Sequence, residues 1–315
     1  MQTVFLSALA GTALLAAPAF GATLQALYAD QTTAQVIFAT DKNGDGDAND
    51  PGETQVFIDA SNRAGLPSPT GNVFTLTQAA DGAVFVGDGN TDTVYRLKDR
   101  NGDNSAQLRQ EASVWFSADN AEGFTLVTPN GLAEGPDGAI YVDEADSRGA
   151  PKGDYVYRTE ALNGAGDASD AGESTVWLDL TALNPGSSPF EIVFDGTVAF
   201  ITDTAGGARR IYRAEDIDGD GAVAASEVTQ YVAPSPFAFS IDLAGDTLFA
   251  LDIIADQILA YTDLNANGII DAPDEQAVAW DAALIDIEVG AGLFSLAALS
   301  PDEILLTSNG STPEE

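Results

Sequence analysis

Acidic residues at alternate positions begin the stretch DIDGDGAVAASE, which spans residues 216–227. Carboxylates stand at its positions 1, 3 and 5, Gly221 stands at position 6, and Glu227 closes it at position 12. Calcium loops have this spacing because oxygen ligands alternate along a turning backbone, glycine permits the sharp bend, and the last carboxylate binds through both oxygens. The stretch therefore predicts a calcium site.

Four other stretches repeat this pattern in altered form, which gives five acidic loops along the chain. The third loop, residues 161–173, has Ala161 and Ala165 at ligand positions, so we expect it to bind a metal weakly or not at all. The alternative is that the loops are solvated turns, because Asp, Asn and Gly form turns without a metal. The expected ligands are Asp41, Asn43, Asp45, Asp47 and Glu53 in loop 1, Asp99, Asn101, Asp103 and Glu111 in loop 2, Asp216, Asp218, Asp220 and Glu227 in loop 4, and Asp263, Asn265, Asn267, Asp274 and Glu275 in loop 5.

The composition of the chain restricts its possible partners, catalytic groups and metal ligands. The 315 residues include 49 acidic and 12 basic side chains, for a net charge of −37, and they include no His and no Cys. Nucleic acids and anionic membranes require positive patches, so neither is an expected partner. Triads that use His, thiolate nucleophiles and His- or Cys-bound metals are excluded. The expected cofactor is Ca²⁺ at several sites, because a chain without His and Cys supplies oxygen atoms as its metal ligands.

Short strand-like runs flank every acidic loop, and a second hairpin with a tight turn such as Asp81-Gly82 or Asp137-Gly138 precedes most of these pairs. Asp-Gly between two apolar runs is a strong hairpin signal. Because the flanks of loop 4 are β-branched and aromatic, they argue against a helical EF-hand. Four antiparallel strands per repeat are typical of a β-propeller blade.

The repeat predicts an all-β propeller of five four-stranded blades. Six blades are the alternative, because residues 24–30 also have the pattern of a strand. The first strand pair lacks an upstream hairpin and the last hairpin lacks a following pair, so we expect the C-terminal hairpin to join the N-terminal pair. This closure would remove exposed strand edges.

The first residues have the composition of a secretory signal. An apolar run over residues 4–17 precedes small residues, which predicts cleavage between Ala19 and Ala22. The alternative is a buried N-terminal segment. No later run reaches the ~20 apolar residues of a membrane span. We therefore expect a signal peptide at 1–22, a propeller domain at 23–310, a polar tail at 311–315, and a secreted, periplasmic or extracellular protein.

Acids also end the second strand of each internal repeat. They are Asp88, Asp143, Asp203 and Asp252. A ring of such acids at one face of a propeller could hold a metal or a cationic ligand, and the alternative is that they are hydrogen-bonded strand ends. The aromatic residues Trp115 and Trp177, at matching places in the fourth strand, are expected to pack between blades.

One repeat carries Pro129-Asn130-Gly131-Leu132-Ala133 and then Pro136-Asp137-Gly138. This segment resembles the blade signature of the gluconolactonase, regucalcin and strictosidine-synthase-like six-bladed propellers. The resemblance implies that Asn130 is a ligand of a single catalytic divalent metal. The rest of the chain departs from that pattern: it lacks the glutamate in its Gly-Glu-Ser-Pro setting, and Phe237 follows Pro236 where an aspartate ligand would stand.

Two functions follow as hypotheses. The first is a non-catalytic, calcium-stabilised binding or scaffold protein, with calcium ions as partners and a small molecule or protein as a further ligand at the propeller face. The second is a metal-dependent hydrolase of lactonase or phosphoesterase type, with Asn130, Asp143, Glu144 and Asp203 around the channel mouth. An enzyme requires a metal with an open coordination position at that mouth, whereas a scaffold leaves the channel to apolar side chains.

Overall fold

The computed structural model describes residues 2–7, 14–15, 25–30, 33–45, 48, 50–66, 72–145, 154–205, 209–281 and 293–308. Short strands joined by tight turns make up most of this chain. The strands are β1 (Gln2–Ser7), β2 (Leu14–Leu15), β3 (Gln25–Asp30), β4 (Gln35–Thr40), β5 (Thr54–Asp59), β6 (Val73–Gln78), β7 (Val84–Asp88), β8 (Thr93–Leu97), β9 (Ala112–Ser117), β10 (Pro129–Glu134), β11 (Ile140–Glu144), β12 (Tyr155–Thr159), β13 (Ser174–Asp179), β14 (Pro189–Asp195), β15 (Val198–Asp203), β16 (Arg210–Ala214), β17 (Val228–Val232), β18 (Ala238–Ala244), β19 (Thr247–Asp252), β20 (Gln257–Tyr261), β21 (Gln276–Asp281), β22 (Leu293–Ser300) and β23 (Glu303–Ser308). A short helix, α1 (Leu180–Leu183), and a 3-10 turn (Ala225–Glu227) complete the described elements.

The strands form five antiparallel sheets of four strands each, arranged as the blades of a β-propeller. Blade 1 consists of β2–β5, blade 2 of β6–β9, blade 3 of β10–β13, blade 4 of β14–β17 and blade 5 of β18–β21. The five four-stranded blades predicted from the repeat are confirmed. A further sheet of three strands, β22, β23 and β1, is called the closing sheet below.

The ring closes through contacts between the first strands of successive sheets. The strands in contact are β2 with β6, β6 with β10, β10 with β14, β14 with β18, β18 with β22, and β22 with β2. These first strands surround the central channel, and the closing sheet lies between blade 5 and blade 1. The described elements therefore leave no gap in the ring between those two blades.

The way in which the chain closes differs from the expectation. The N-terminal pair β4 and β5 does not join the C-terminal hairpin, because β4 pairs with β3 along its whole length. The hairpin of β22 and β23 pairs instead with β1, in parallel. The prediction was wrong because β3 precedes β4 by a short turn, so a hairpin local in sequence takes the place of a long-range pairing.

Packing between blades uses the aromatic residues of the fourth strands, as predicted. The Nε1 of Trp115 in blade 2 donates a hydrogen bond of 2.9 Å to Thr159 Oγ1 in blade 3. Trp177 in blade 3 packs against Phe194 in blade 4, with 5.9 Å between the ring centroids. Large aromatic side chains that find a partner for their polar atom are effective at such contacts.

Parts of the predicted domain layout fall beyond the described residues. The polar tail at 311–315 lies outside them, as does most of the segment predicted to be a signal peptide. The strands β1 and β2 come from that same segment. Within the described residues, no helix has the length and apolar character needed to cross a membrane.

Acidic loops and the central channel as candidate sites

Loop 4 brings its acids together between β16 and β17. Carboxylate oxygens of Asp216, Asp218 and Glu227 all lie within 4.8 Å of one another. The backbone amides of Gly219 and Gly221 donate to the two oxygens of Asp216, at 2.8 and 3.0 Å. Gly221 has a φ of +91°, a region in which residues with a side chain are strained. An ionised carboxylate has about four lone-pair sites, so these bonds leave room for a cation.

Loop 3, expected to be the poorest, has a similar group. Carboxylate oxygens of Asp167, Asp170 and Glu173 also lie within 4.8 Å of one another. Loop 3 is therefore a second place where acids converge. Ala161 and Ala165 still occupy two ligand positions of this loop, so the expectation of weak or no metal binding there stays a prediction.

Loops 1, 2 and 5 use asparagines at several ligand positions, and these amides bond to neighbouring acids. In loop 1, Asn43 Nδ2 donates to Asp45 Oδ2 at 2.8 Å. In loop 5, Asn265 Nδ2 donates to Asp271 Oδ1 at 3.3 Å and Asn267 Nδ2 donates to Asp271 Oδ2 at 3.1 Å, and Asp271 and Asp274 are both exposed. The carboxylate that meets the asparagines of loop 5 is thus Asp271. In loop 1, the expected ligand Asp47 lies outside the described residues.

The glutamate that closes each loop holds the loop backbone. In loop 3, Glu173 accepts from the amides of Leu162 at 2.8 Å and Asn163 at 3.1 Å through Oε1, and from Asp170 at 3.2 Å through Oε2. Backbone amides of the other four loops donate in the same way to the carboxylates of Glu53, Glu111, Glu227 and Glu275. Each glutamate thus connects the start of its loop to the end.

Backbone donation also affects how these glutamates titrate. The amides of Ala224 and Ile217 lower the pKa of Glu227, and those of Ala272 and Asp271 lower the pKa of Glu275. Hydrogen bonds to a carboxylate favour its ionised form, which explains the direction.

Position 8 of the loops forms a contact that sequence reasoning missed. The backbone amide at this position donates to the carbonyl oxygen of the aromatic residue in the last strand of the preceding blade. The pairs are Ala106 with Phe57 at 2.7 Å, Ala168 with Trp115 at 2.8 Å, Val223 with Trp177 at 2.6 Å, and Ile270 with Tyr231 at 2.8 Å. The signal in the sequence is an apolar residue at position 8 of each of these loops. Loops 2 to 5 therefore tie neighbouring blades together.

A ring of phenylalanines lines one mouth of the channel. The first strands of blades 2 to 5 and of the closing sheet each have a β-bulge near their start. The bulges carry Phe74, Asn130, Phe190, Phe239 and Phe294, and we call the four phenylalanines the aromatic collar. Phe190 stacks on Phe239 with 4.1 Å between centroids, and Phe74 meets Phe190 edge-on at 5.8 Å. Asn130 and three of the collar rings line a cavity of about 670 Å³.

The acids at the strand ends have structural partners. Strand register places Asp88, Glu144, Asp203 and Asp252 at equivalent positions. Glu144 accepts from the amides of Val127 at 2.8 Å and Thr128 at 3.1 Å, and Asp203 accepts from Ser188 at 2.9 Å. This is the geometry of a hydrogen-bonded strand end, which the sequence left as the alternative.

Asp143 differs from that set because it lies one residue earlier, opposite Gly131. Side chains alternate between the faces of a strand, so its carboxylate points the other way. Asp143 is fully buried, and neither of its carboxylate oxygens has a hydrogen-bond partner among the described residues. Asn130 Oδ1 is likewise unpartnered, while Asn130 Nδ2 donates to Pro189 O at 3.0 Å. Burial raises the pKa of Asp143 well above its ordinary value.

Two further buried acids along the channel are absent from the sequence candidates. Glu191 and Asp242 line a second cavity of about 330 Å³. Burial raises the pKa of Glu191, and the nearby charges of Asp143 and Asp242 raise it further. Burial also raises the pKa of Asp242 to about 6. An acid within an apolar strand run was the signal available in the sequence.

The mouth does not fit the single-metal centre that the resemblance implied. Of the five bulge positions, only Asn130 offers an oxygen, and the aromatic collar occupies the others. A phenylalanine ring supplies no ligand to a hard cation. We therefore derive no reaction step through a metal at the mouth.

Scans against family models and curated proteins found no match. Among solved structures, the chain is similar to the PQQ-bound aldose sugar dehydrogenase of Streptomyces coelicolor, at 14% identity and a TM-score of 0.63, over 99% of this chain and 93% of that one. It is also similar to a gluconolactonase of Xanthomonas campestris, at 14% identity and a TM-score of 0.60, over 96% of this chain and 84% of that one. A regucalcin of Agrobacterium tumefaciens, described as a calcium-binding protein, aligns at 12% identity and a TM-score of 0.53, over 96% of this chain and 85% of that one. At these identities the likeness shows that the chain shares the β-propeller fold.

Proposed function

We propose that this chain is a calcium-binding propeller in which cations in the acidic loops stabilise the ring, and that it serves as a non-catalytic binding or scaffold protein. The observation that supports this most is loop 4. Its acids Asp216, Asp218 and Glu227 converge, and the same loop is bonded to blade 3 through Val223. A cation held by those acids would therefore act on a contact between blades.

The physical case rests on charge. A net charge of −37 makes the folded chain repel itself, and most strongly where carboxylates cluster in the loops. A bound Ca²⁺ offsets that repulsion. Extracellular calcium modules have dissociation constants of ~10⁻⁴–10⁻³ M. At a hundred times the dissociation constant, each occupied site would add about 2.7 kcal/mol to the free energy of unfolding.

The cavity at the channel mouth offers a place for a small-molecule ligand. The collar rings Phe74, Phe190 and Phe239 line it, and the guanidinium of Arg209 lies 4.4 Å from the ring centroid of the neighbouring Phe237. Cavities with aromatic walls and a few polar groups are the usual form of a ligand site. The proposed role is thus binding at this face, with the loops as the structural support.

The proposal includes export from the cytoplasm, with cleavage that removes β1 and β2. The exported chain would then close its ring between β3–β5 of blade 1 and the hairpin of β22 and β23. The apolar run at residues 4–17 and the small residues after it support a signal peptide that is cleaved between Ala19 and Ala22. Intact mass of the protein recovered from an exporting host tests this. We expect the chain to begin within residues 20–23, and a chain that retains residue 1 would contradict export by this signal.

Thermal unfolding in Ca²⁺ and in EDTA tests the calcium proposal. We expect EDTA to lower the melting temperature, and Asp216→Asn to reduce that difference. Asp246→Asn is the matched control, because it removes the same charge from an exposed hairpin turn outside the loops. A melting temperature that EDTA leaves unchanged would overturn the proposal.

The second candidate is a metal-dependent hydrolase, favoured by the unpartnered oxygens of Asn130 and Asp143 beside the channel. The aromatic collar opposes it. Hydrolysis of generic lactones and phosphate esters with Ca²⁺ present, compared with Asn130→Ala, decides between the two. Activity that the substitution abolishes would replace the binding role with the hydrolase.

A further inference from the structure

A buried polar layer lies directly after the bulges that carry the aromatic collar. In the first strands of blades 2 to 5 and of the closing sheet, the residues directly after Phe74, Asn130, Phe190, Phe239 and Phe294 are Thr75, Gly131, Glu191, Ser240 and Ser295. The four that have side chains are all buried and polar. Buried polar groups in folded proteins are normally hydrogen-bonded, so the partners of this layer have to be identified.

Asp143 belongs to this layer, because it fills the space that Gly131 leaves. A Cβ atom at residue 131 would lie 2.8 Å from Asp143 Oδ2 and 3.0 Å from Glu191 Cα. The carboxylate of Asp143 and the backbone of Glu191 therefore flank the same point. In keeping with this proximity, burial and the charge of Asp143 raise the pKa of Glu191.

Several oxygens of the layer lack hydrogen-bond partners within the described part of the chain. They are Asp143 Oδ1 and Oδ2, Thr75 Oγ1 and Ser295 Oγ, on side chains no more than 3% exposed. Ser240 contrasts with them, because its hydroxyl bonds to Leu296 O at 3.3 Å. Buried polar atoms in folded proteins are nearly always partnered, so this concentration points to a ligand that binds oxygen.

Charge indicates what kind of ligand that is. The ion pairs formed by Arg96, Lys98, Arg158 and Arg213 engage other acids, at the outer hairpins. An ionised carboxylate buried without a partner, as Asp143 would be, is strongly destabilising unless a cation balances it. Two carboxylates are balanced by a divalent cation, and hard oxygen ligands of this kind select Ca²⁺ or Mg²⁺.

We propose that this layer binds one divalent cation in the central channel, with the carboxylates of Asp143 and Glu191 as its charged ligands and Ca²⁺ as the best chemical fit. Thr75 and Ser295 stand at equivalent positions of their strands, and water completes the oxygen set around the two carboxylates. This site is separate from the acidic loops and lies beneath the aromatic collar. Its role is to hold the first strands of the blades together at the axis.

Calcium content and stability, measured on the same variants, test this site. Wild type, Asp143→Asn and Glu191→Gln are dialysed against Ca²⁺, and the metal per chain is counted by mass spectrometry. Both substitutions keep the side-chain size and remove one charge. We expect each to bind one Ca²⁺ fewer than wild type and to melt at a lower temperature in Ca²⁺. In EDTA we expect each to melt at the same or a higher temperature than wild type, because a buried charge has gone.

Asp203→Asn is the control, because its carboxylate holds backbone amides at a strand end. It should change stability without changing the calcium count. An unchanged count in both Asp143→Asn and Glu191→Gln would overturn the site and would mean that the layer is neutralised by protons. If Asp143→Asn does not fold, Glu191→Gln alone decides.

The outcomes also separate this site from the loops. A calcium that survives Asp216→Asn but is lost in Asp143→Asn supports the channel site even if the loops bind nothing. A count that falls only in Asp216→Asn supports the loops and contradicts the channel site.

Discussion

The backbone amide of Val223 donates a hydrogen bond of 2.6 Å to the carbonyl oxygen of Trp177, and this contact joins loop 4 to the last strand of blade 3. Val223 also forms a parallel bridge with Leu178. Because loop 4 belongs to blade 4, its conformation affects the contact between two blades. A cation that orders the loop should therefore also stabilise the contact between blades 3 and 4.

Hydrogen exchange should report that coupling. Removal of calcium is expected to speed exchange of the Val223 amide, about tenfold for every 1.4 kcal/mol by which the loop contact weakens. The amide of Leu251, in the interior of β19, serves as the reference within the same chain, and its exchange should speed up only as far as global stability falls. Equal protection of Val223 with and without calcium would contradict the coupling.

Glu173→Gln should destabilise the chain even without calcium. The buried carboxylate of Glu173 accepts three backbone amides, and the Nε2 of glutamine cannot accept any. We expect a loss of about 1–3 kcal/mol in the free energy of unfolding, measured by urea in EDTA. Asp119→Asn, which removes an exposed charge, is the control. No effect of Glu173→Gln in EDTA would mean that this glutamate does not hold the loop.

Gly131→Ala should be costly, whereas Gly186→Ala should not. A Cβ at residue 131 meets Asp143 Oδ2 at 2.8 Å, but a Cβ at residue 186 has nothing within 4 Å. Overpacking of this kind costs about 1–3 kcal/mol. Urea unfolding of both variants, and of Gly131→Ala combined with Asp143→Ser, measures it. The second substitution should recover part of the loss, and equal stability of the two single variants would refute the close contact.

The stability of the metal-free chain should depend on pH through Asp242. Burial raises the pKa of Asp242 from 3.8 to about 6. The folded chain therefore holds a proton that the unfolded chain has released. This stabilisation is complete below about pH 3.8 and is lost as pH rises through 6. A shift of two pKa units corresponds to about 3 kcal/mol.

Asp242→Asn should remove that slope, as urea unfolding in EDTA between about pH 4 and pH 8 will measure. Glu227 and Glu275 act in the opposite sense, because their lowered pKa values supply stability that is lost as pH falls below 4.5. That loss at acid pH should remain in the variant. A slope near pH 6 that survives Asp242→Asn would assign it to another group.

Much of the fold could be predicted because it is local in sequence. Alternating apolar residues and Asp-Gly turns define the hairpins, and the turn glycines Gly82 and Gly138 have φ values of +81° and +80°, as such turns require. The ring closure could not be predicted in this way, because it pairs strands from the two ends of the chain. The partner of the last hairpin is β1, which comes from the segment that composition assigns to a signal peptide.

The candidate site was harder to predict because it depends on strand register. Residue type groups Asp143 with Asp88 and Asp203, but pairing with β10 puts Glu144 at that position and turns Asp143 to the other face. A shift of one residue reverses every side chain in a strand. Glu191 and Asp242 became candidates only once ring closure had placed the first strands around the channel.

The side chain of Asp143 occupies the space that a side chain at residue 131 would need, and this restricts which substitutions the two positions can accept during evolution. A larger residue at 131 is admissible only after residue 143 has become smaller, and a smaller residue at 143 alone leaves an unfilled hole beside Glu191. Single steps in either direction therefore pass through a less stable protein. Descendants of this sequence should change both positions or neither.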